Sequence, residues 1–199
     1  GYQNWAVITT LPIYIPAGDF TLKLVTDTCC FNIDEFTIAT TTPHHAVTIP
    51  GRIEVEDYLP GGQGVSYFDT TSGNAGGSYR RDDVDIQPCT DPLTEPGVPC
   101  YNVGWIRQDE WLAYEFQVAE GGSYIFTLRA ATPYTGRRVR LEIGGVDRTG
   151  SIEIPSTGAY TTWSDVVSAP ITLEPGLHRL RIVAETSSFN LNFVTVTRA

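Results

Sequence analysis

The chain has 199 residues, 41% of them hydrophobic, and its 23 Asp and Glu outnumber 13 Lys and Arg to leave a formal charge of −10. That charge repels phosphate backbones and anionic lipid, so no nucleic-acid partner is expected. No apolar run approaches the ~20 residues of a membrane helix, so no membrane partner is expected either.

In chain order the first feature is an ungapped internal repeat. Sliding the chain against itself aligns Tyr2 with Tyr160, Trp5 with Trp163, Pro12 with Pro170, Gly18 with Gly176, Phe31 with Phe189 and Asn32 with Asn190. Self-similarity at a fixed offset marks an array of like units. Residues 1–39 therefore read as the C-terminal fragment of a preceding sister module, residues 40–51 as a linker around Thr40, Pro43 and His44, and residues 52–199 as one complete module. With no Met and a repeat that begins midway, the chain is expected to be an internal piece of a longer protein. The fragment's apolar strand residues, among them Ile13, Leu22, Leu24 and Phe36, call for cover. Either the intact module supplies it, or the same segment of a second chain does, giving a dimer through residues 1–39.

The complete unit shows period-2 patterning almost throughout and no strong helical periodicity. Trp111–Val118 places Leu112, Tyr114, Phe116 and Val118 on one face, and Tyr124, Phe126, Leu128 and Ala130 point inward in the next run. Gly121-Gly122, Gly144-Gly145 and Pro175-Gly176 supply turns. About ten short strands with Gly/Pro punctuation predict an all-β protein, a β-sandwich of jelly-roll type. Such a unit is long enough to bury about 68–70% of its unfolded surface.

Two cysteine pairs differ in kind. Cys89 and Cys100 bracket a Pro-rich loop that a disulfide would close, stabilising the fold by about 3 kcal/mol and fitting a secreted, extracellular protein; two unpaired structural thiols are the alternative. Cys29 and Cys30 are adjacent and align with Ser187 and Ser188, which makes them a local substitution.

The segment Arg52–Tyr58, read as a strand, puts Glu54 and Glu56 on one face at i and i+2. Paired hard oxygen ligands suit Ca²⁺, and Asn192, whose counterpart in the first copy is Asp34, adds a third oxygen donor. A solvated strand face is the plainer alternative. For catalysis the chain offers no Gly-x-Ser-x-Gly elbow and no His-Glu-x-x-His helix. His178 occupies the place of Phe20 in the first copy and reads as a strand residue. Carboxylates are abundant enough that spacing alone does not exclude a glycosidase, but the repeat organisation favours binding.

Five segments, in order, resemble the signatures of family 6 carbohydrate-binding modules: Ile53–Tyr58, Asn102–Ile106 (Asn-Val-Gly-Trp-Ile), Glu110–Tyr114, Gly158–Trp163 and Phe189–Asn192. The resemblance implies a jelly roll that binds polysaccharide without cleaving it, carries a structural Ca²⁺ and is appended to a secreted glycan-degrading enzyme whose catalytic domain lies elsewhere in the parent chain. It implies that Trp105 and Tyr160 form opposing walls of a cleft, Tyr160 standing where Trp is commoner, and that Asn190 hydrogen-bonds the clamped sugar. Glu54, Glu56 and Asn192, the oxygen donors read above, are the residues expected to hold that metal. This division is sensible, because pyranose rings offer apolar C–H faces to aromatic planes while their hydroxyls need polar partners. Core packing is the alternative role for Trp105 and Tyr160; Trp111 and Trp163 read as packing residues. The segment Tyr79–Gln87 resembles modules attached to agarases and β-1,3-glucanases, which favours agarose or β-1,3-glucan as ligand. Two other readings remain: a catalytic glycoside hydrolase or lyase domain on the same fold, and an adhesion module with a vestigial cleft.

Overall fold

Strands that alternate apolar and polar side chains can each bury one face, and two such sheets bury those faces against each other. The computed structural model shows this arrangement and describes residues 46–93 and 99–199, together with 21–23, 25, 30, 32, 33 and 36. The expectations about the N-terminal repeat, a dimer through it and Cys29 fall outside the described residues. Cys30 is disulfide-bonded.

The strands are β1 Val47–Ile49, β2 Gly51–Glu54, β3 Tyr67–Phe68, β4 Ile86–Pro88, β5 Tyr101–Val103, β6 Trp111–Val118 and β7 Gly122–Ala131. They continue with β8 Arg137–Ile143, β9 Val146–Asp147, β10 Ile152–Ile154, β11 Ser164–Val167, β12 Ile171–Leu173, β13 Gly176–Ala184 and β14 Asn190–Arg198. One seven-stranded sheet has the order β1-β6-β13-β8-β10, with β3 paired to β6 and β9 to β8. The other, also seven-stranded, runs β11-β7-β14-β5-β4, with β12 on β7 and β2 on β14. The result is an all-β jelly-roll sandwich. It has more strands than the sequence suggested because several are only two or three residues long.

The inward faces are those the alternation marks. Tyr114, Phe116 and Val118 of β6 and Tyr124, Phe126, Leu128 and Ala130 of β7 are buried. Phe116 of one sheet meets Phe126 of the other edge to face, ring centroids 5.9 Å apart, which joins the two layers at the centre.

Two expectations need correction. Val47–Ile49, given to the linker by its neighbours, is strand β1, paired in parallel with β6 so that Val47 faces Phe116. Ile49 is fully buried there, and that burial draws this segment into the sandwich. The second concerns Glu56. The chain leaves β2 at Glu54, and Val55–Asp57 form a 3₁₀ turn, so Glu54 and Glu56 do not share a strand face. Val55 and Tyr58, both fully buried, turn the backbone inward at this point and carry the Glu56 carboxyl with them.

Candidate functional site

Trp105 lies on the loop between β5 and β6 with φ +49 and its side chain 50% exposed. A left-handed conformation is unfavourable for a bulky residue and persists only where the surroundings enforce it. Here Gly104 N donates to Asp85 O at 2.9 Å, and Ser188 N donates to Ile106 O at 2.8 Å, pinning the loop on both sides of the indole. Tyr160, on the loop between β10 and β11, is 38% exposed. Neither ring is core.

Asn190 opens β14 and is only 3% exposed. Its Nδ2 donates to Tyr160 O at 3.0 Å, while a Cβ placed on Gly104 would come within 3.0 Å of its Oδ1. The amide therefore sits between the two aromatic loops, braced on one and touching the other beside Trp105. Glycine at 104 is what permits that approach. The same imagined Cβ would lie 3.5 Å from Gln87 Nε2, so a second amide borders this point from β4.

Sequence reading did not single out Tyr134, on the loop between β7 and β8. Its ring centroid is 6.3 Å from that of Tyr160, with the planes 77° apart, and it is 51% exposed. The only sequence signal was an aromatic set between Pro133 and Gly136 in a turn. Nothing local revealed that the turn would meet Tyr160. Trp111 and Trp163 are both half-buried, and the Arg181 guanidinium lies 4.1 Å from the Trp111 ring centroid.

Of the three residues assigned to a metal, Glu56 is 6% exposed, and its Oε2 is buried without a hydrogen-bond partner. Burial above all, with the charges of Glu54 and Asp57 adding to it, pushes this carboxyl up to about 8. Glu54 is held by Arg52, whose Nε lies 2.7 Å from Oε1 and whose Nη2 donates to Oε2 at 3.1 Å. The Arg52 guanidinium also lies 3.5 Å from the Phe193 ring centroid. Asn192 is buried on β14, against which the turn bearing Glu56 packs. Its Nδ2 donates to Asp91 Oδ2 at 3.0 Å, leaving the amide oxygen at 3.9 Å from Cys100 Sγ. Among the described residues, no three or more His, Cys, Asp or Glu gather into a metal-holding group; the candidate set has only two carboxylates. Oxygen donors with one orphaned buried carboxylate oxygen fit a hard cation, which would compete with Arg52 for Glu54.

The Cys89–Cys100 disulfide is formed. Its loop is fastened to the outer face of the second sheet by a pair that sequence reading missed. Arg129 of β7, itself buried, donates from Nε to Asp91 Oδ2 at 2.8 Å and from Nη2 to Oδ1 at 3.1 Å, and from Nη1 to Asp165 at 3.0 Å. Burial works to raise the Asp91 carboxyl, but hydrogen bonds from Arg129, Leu93 N and Asn192 outweigh it and hold Asp91 below the ordinary carboxylate range. Alternation along β7 placed Arg129 outward, where a charged residue reads as solvated; the loop that covers it comes from a distant part of the chain.

A β-sandwich that presents exposed aromatic rings on neighbouring loops around a buried amide has the features of a carbohydrate-binding module. The model of carbohydrate binding module family 6 matches residues 76–198, and the chain belongs to that family. The clotting factor G alpha subunit of Tachypleus tridentatus is 25% identical over 138 residues, which are 68% of this chain and 18% of that protein. The chain thus spans less than a fifth of this curated relative. Similar solved structures include a family 6 module of Cellvibrio mixtus lichenase 5A in complex with cellotriose, at 25% identity and a TM-score of 0.55, covering 75% of this chain and 97% of that one. Another is a β-1,3-glucan binding module from Bacillus halodurans, at 21% identity and a TM-score of 0.56, covering 77% and 99%.

Proposed function

We propose that the chain is a non-catalytic polysaccharide-binding module of a secreted glycan-degrading enzyme, and that Trp105 and Tyr160 clamp one sugar ring while Asn190 hydrogen-bonds its hydroxyls. The observation that carries this reading is the Asn190 amide, buried between the two aromatic loops with Nδ2 on Tyr160 O and Oδ1 beside Gly104. Stacking supplies attraction for the apolar ring faces, and the amide supplies directional partners at the base. One clamped ring implies an affinity of about −4 to −8 kcal/mol, millimolar to micromolar. The cellotriose held by the Cellvibrio mixtus module supports a β-glucan, and the Tyr79–Gln87 segment favours β-1,3-glucan or agarose. Glu54, Glu56 and Asn192 are proposed to hold a structural Ca²⁺, supported by the unpartnered Glu56 oxygen. A glycan array followed by calorimetry on wild type and Trp105→Ala tests the clamp: binding to a β-glycan that the variant loses is expected, and binding indifferent to Trp105 overturns it. Release of reducing ends from the same glycans would overturn the non-catalytic assignment.

A further inference from the structure

Tyr134 is exposed over half its surface, yet the turn that carries it is firmly tied to the loops of the clamp. Tyr134 N donates to Thr132 Oγ1 at 3.2 Å, and that hydroxyl donates to Ser188 O at 2.7 Å. Ser188 N in turn donates to Ile106 O, the residue after Trp105. On the other side Thr132 N donates to Thr157 Oγ1 at 3.0 Å, on the loop that leads to Tyr160. The Arg137 guanidinium lies 5.6 Å from the Tyr134 ring centroid and is fixed by Nη1 donating to Ser187 O at 2.9 Å. A turn held this way presents its aromatic ring to water from a preformed backbone, so the ordering entropy of the turn is already lost before any ligand arrives.

We propose that Tyr134 is a second stacking platform, which takes the sugar next to the one clamped by Trp105 and Tyr160, and that its setting selects a chain whose successive rings turn, as in β-1,3-glucan. The proposal rests on the clamp reading above. With the Tyr134 and Tyr160 planes 77° apart, two sugars stacked one on each ring are turned strongly relative to each other. A β-1,4-linked ribbon keeps successive ring faces nearly parallel and cannot lie flat on both platforms. A β-1,3 linkage bends the chain between rings, and the aromatic contact is available to each of them.

The test is titration of the full chain with methyl β-glucoside, which fills the clamp alone, and with β-1,3- and β-1,4-linked gluco-oligosaccharides from the disaccharide to the hexasaccharide. Tyr134→Ala is expected to leave methyl β-glucoside and the β-1,4 series within about twofold of wild type and to weaken the β-1,3 series by about tenfold, one aromatic contact's worth. Tyr134→Phe should bind the β-1,3 series as wild type does. Equal weakening on every probe would make Tyr134 a prop for Tyr160 and overturn the proposal, as would no weakening on any probe or equal weakening of both linkage series. If Trp105→Ala loses binding and Tyr134→Ala does not, this inference alone fails. If wild type binds no probe, or Trp105→Ala binds as wild type does, the clamp reading fails with it.

Discussion

The side-chain amide of Asn190 donates to the backbone carbonyl of Tyr160 at 3.0 Å, so the residue proposed to read sugar hydroxyls also sets the height of one aromatic wall. Asn190→Ala removes both roles and leaves the part-buried Tyr160 carbonyl without this donor, at about 0.5–1.5 kcal/mol. Calorimetry should show at least about a tenfold loss of glycan affinity, and denaturant unfolding should show the lower stability. Gly104→Ala, whose Cβ would meet Asn190 Oδ1 at 3.0 Å, should weaken binding in the same direction. Wild-type affinity in both variants would remove Asn190 from the site.

Trp105 separates binding from stability. Its ring is half exposed and its φ is +49, so Trp105→Ala should abolish glycan binding with little change in melting temperature. Trp105→Gly should also abolish binding yet be about 1 kcal/mol more stable than the Ala variant, because glycine tolerates the left-handed conformation that alanine does not. Equal unfolding midpoints for the two variants would show that the loop relaxes once the indole is gone.

The proposed Ca²⁺ is tested by heat. Chelation with EDTA should lower the melting temperature of wild type through lost mass-action stabilisation, and added Ca²⁺ should restore it. Glu56→Gln should melt at one temperature with and without EDTA. A wild type indifferent to both additions would leave Glu56 a neutral, buried carboxyl with no metal.

Asp69, which lines a cavity together with Gly104 and Ile106 on either side of Trp105, gives a pH signature of its own. Burial lifts its carboxyl from 3.8 to about 6, helped by Glu110 and Asp85 and opposed by bonds from Thr71. Between those values the folded protein retains a proton that the unfolded chain has released. The contribution to stability is therefore full below the lower value and lost as pH rises through the upper one. Asp69→Asn keeps an acceptor for Thr71 N and Oγ1, both at 2.8 Å, and removes the titration. The variant should gain on wild type across that interval by on the order of 1–2 kcal/mol and hold a constant margin above it. Denaturant unfolding at a series of pH values measures the margin; one that does not vary with pH would show that Asp69 stays ionised.

Alternation makes the core legible in the amino-acid order itself. Phe116, Phe126 and Leu128 had to point inward because each lies at even spacing from other apolar residues in a run bounded by glycines. The same rule failed at Glu56, where Val-Glu-Asp continues a strand pattern but the backbone turns to bury Val55 and Tyr58. At Arg129 it gave the right face but not the burial, since a period of two says which face a residue takes and not what later covers that face.

Sequence alone determined the strand faces, the disulfide loop and the motifs that named Trp105, Tyr160 and Asn190, because burial and turn chemistry act on neighbours in the chain. Only the tertiary structure decided that Asn190 would brace Tyr160, that Tyr134 would stand nearly perpendicular to it, and that Asp91 would reach Arg129. Each of those contacts joins loops or strands far apart in sequence. Their meeting depends on how the two sheets stack and where the connections cross their edges, which no local period records.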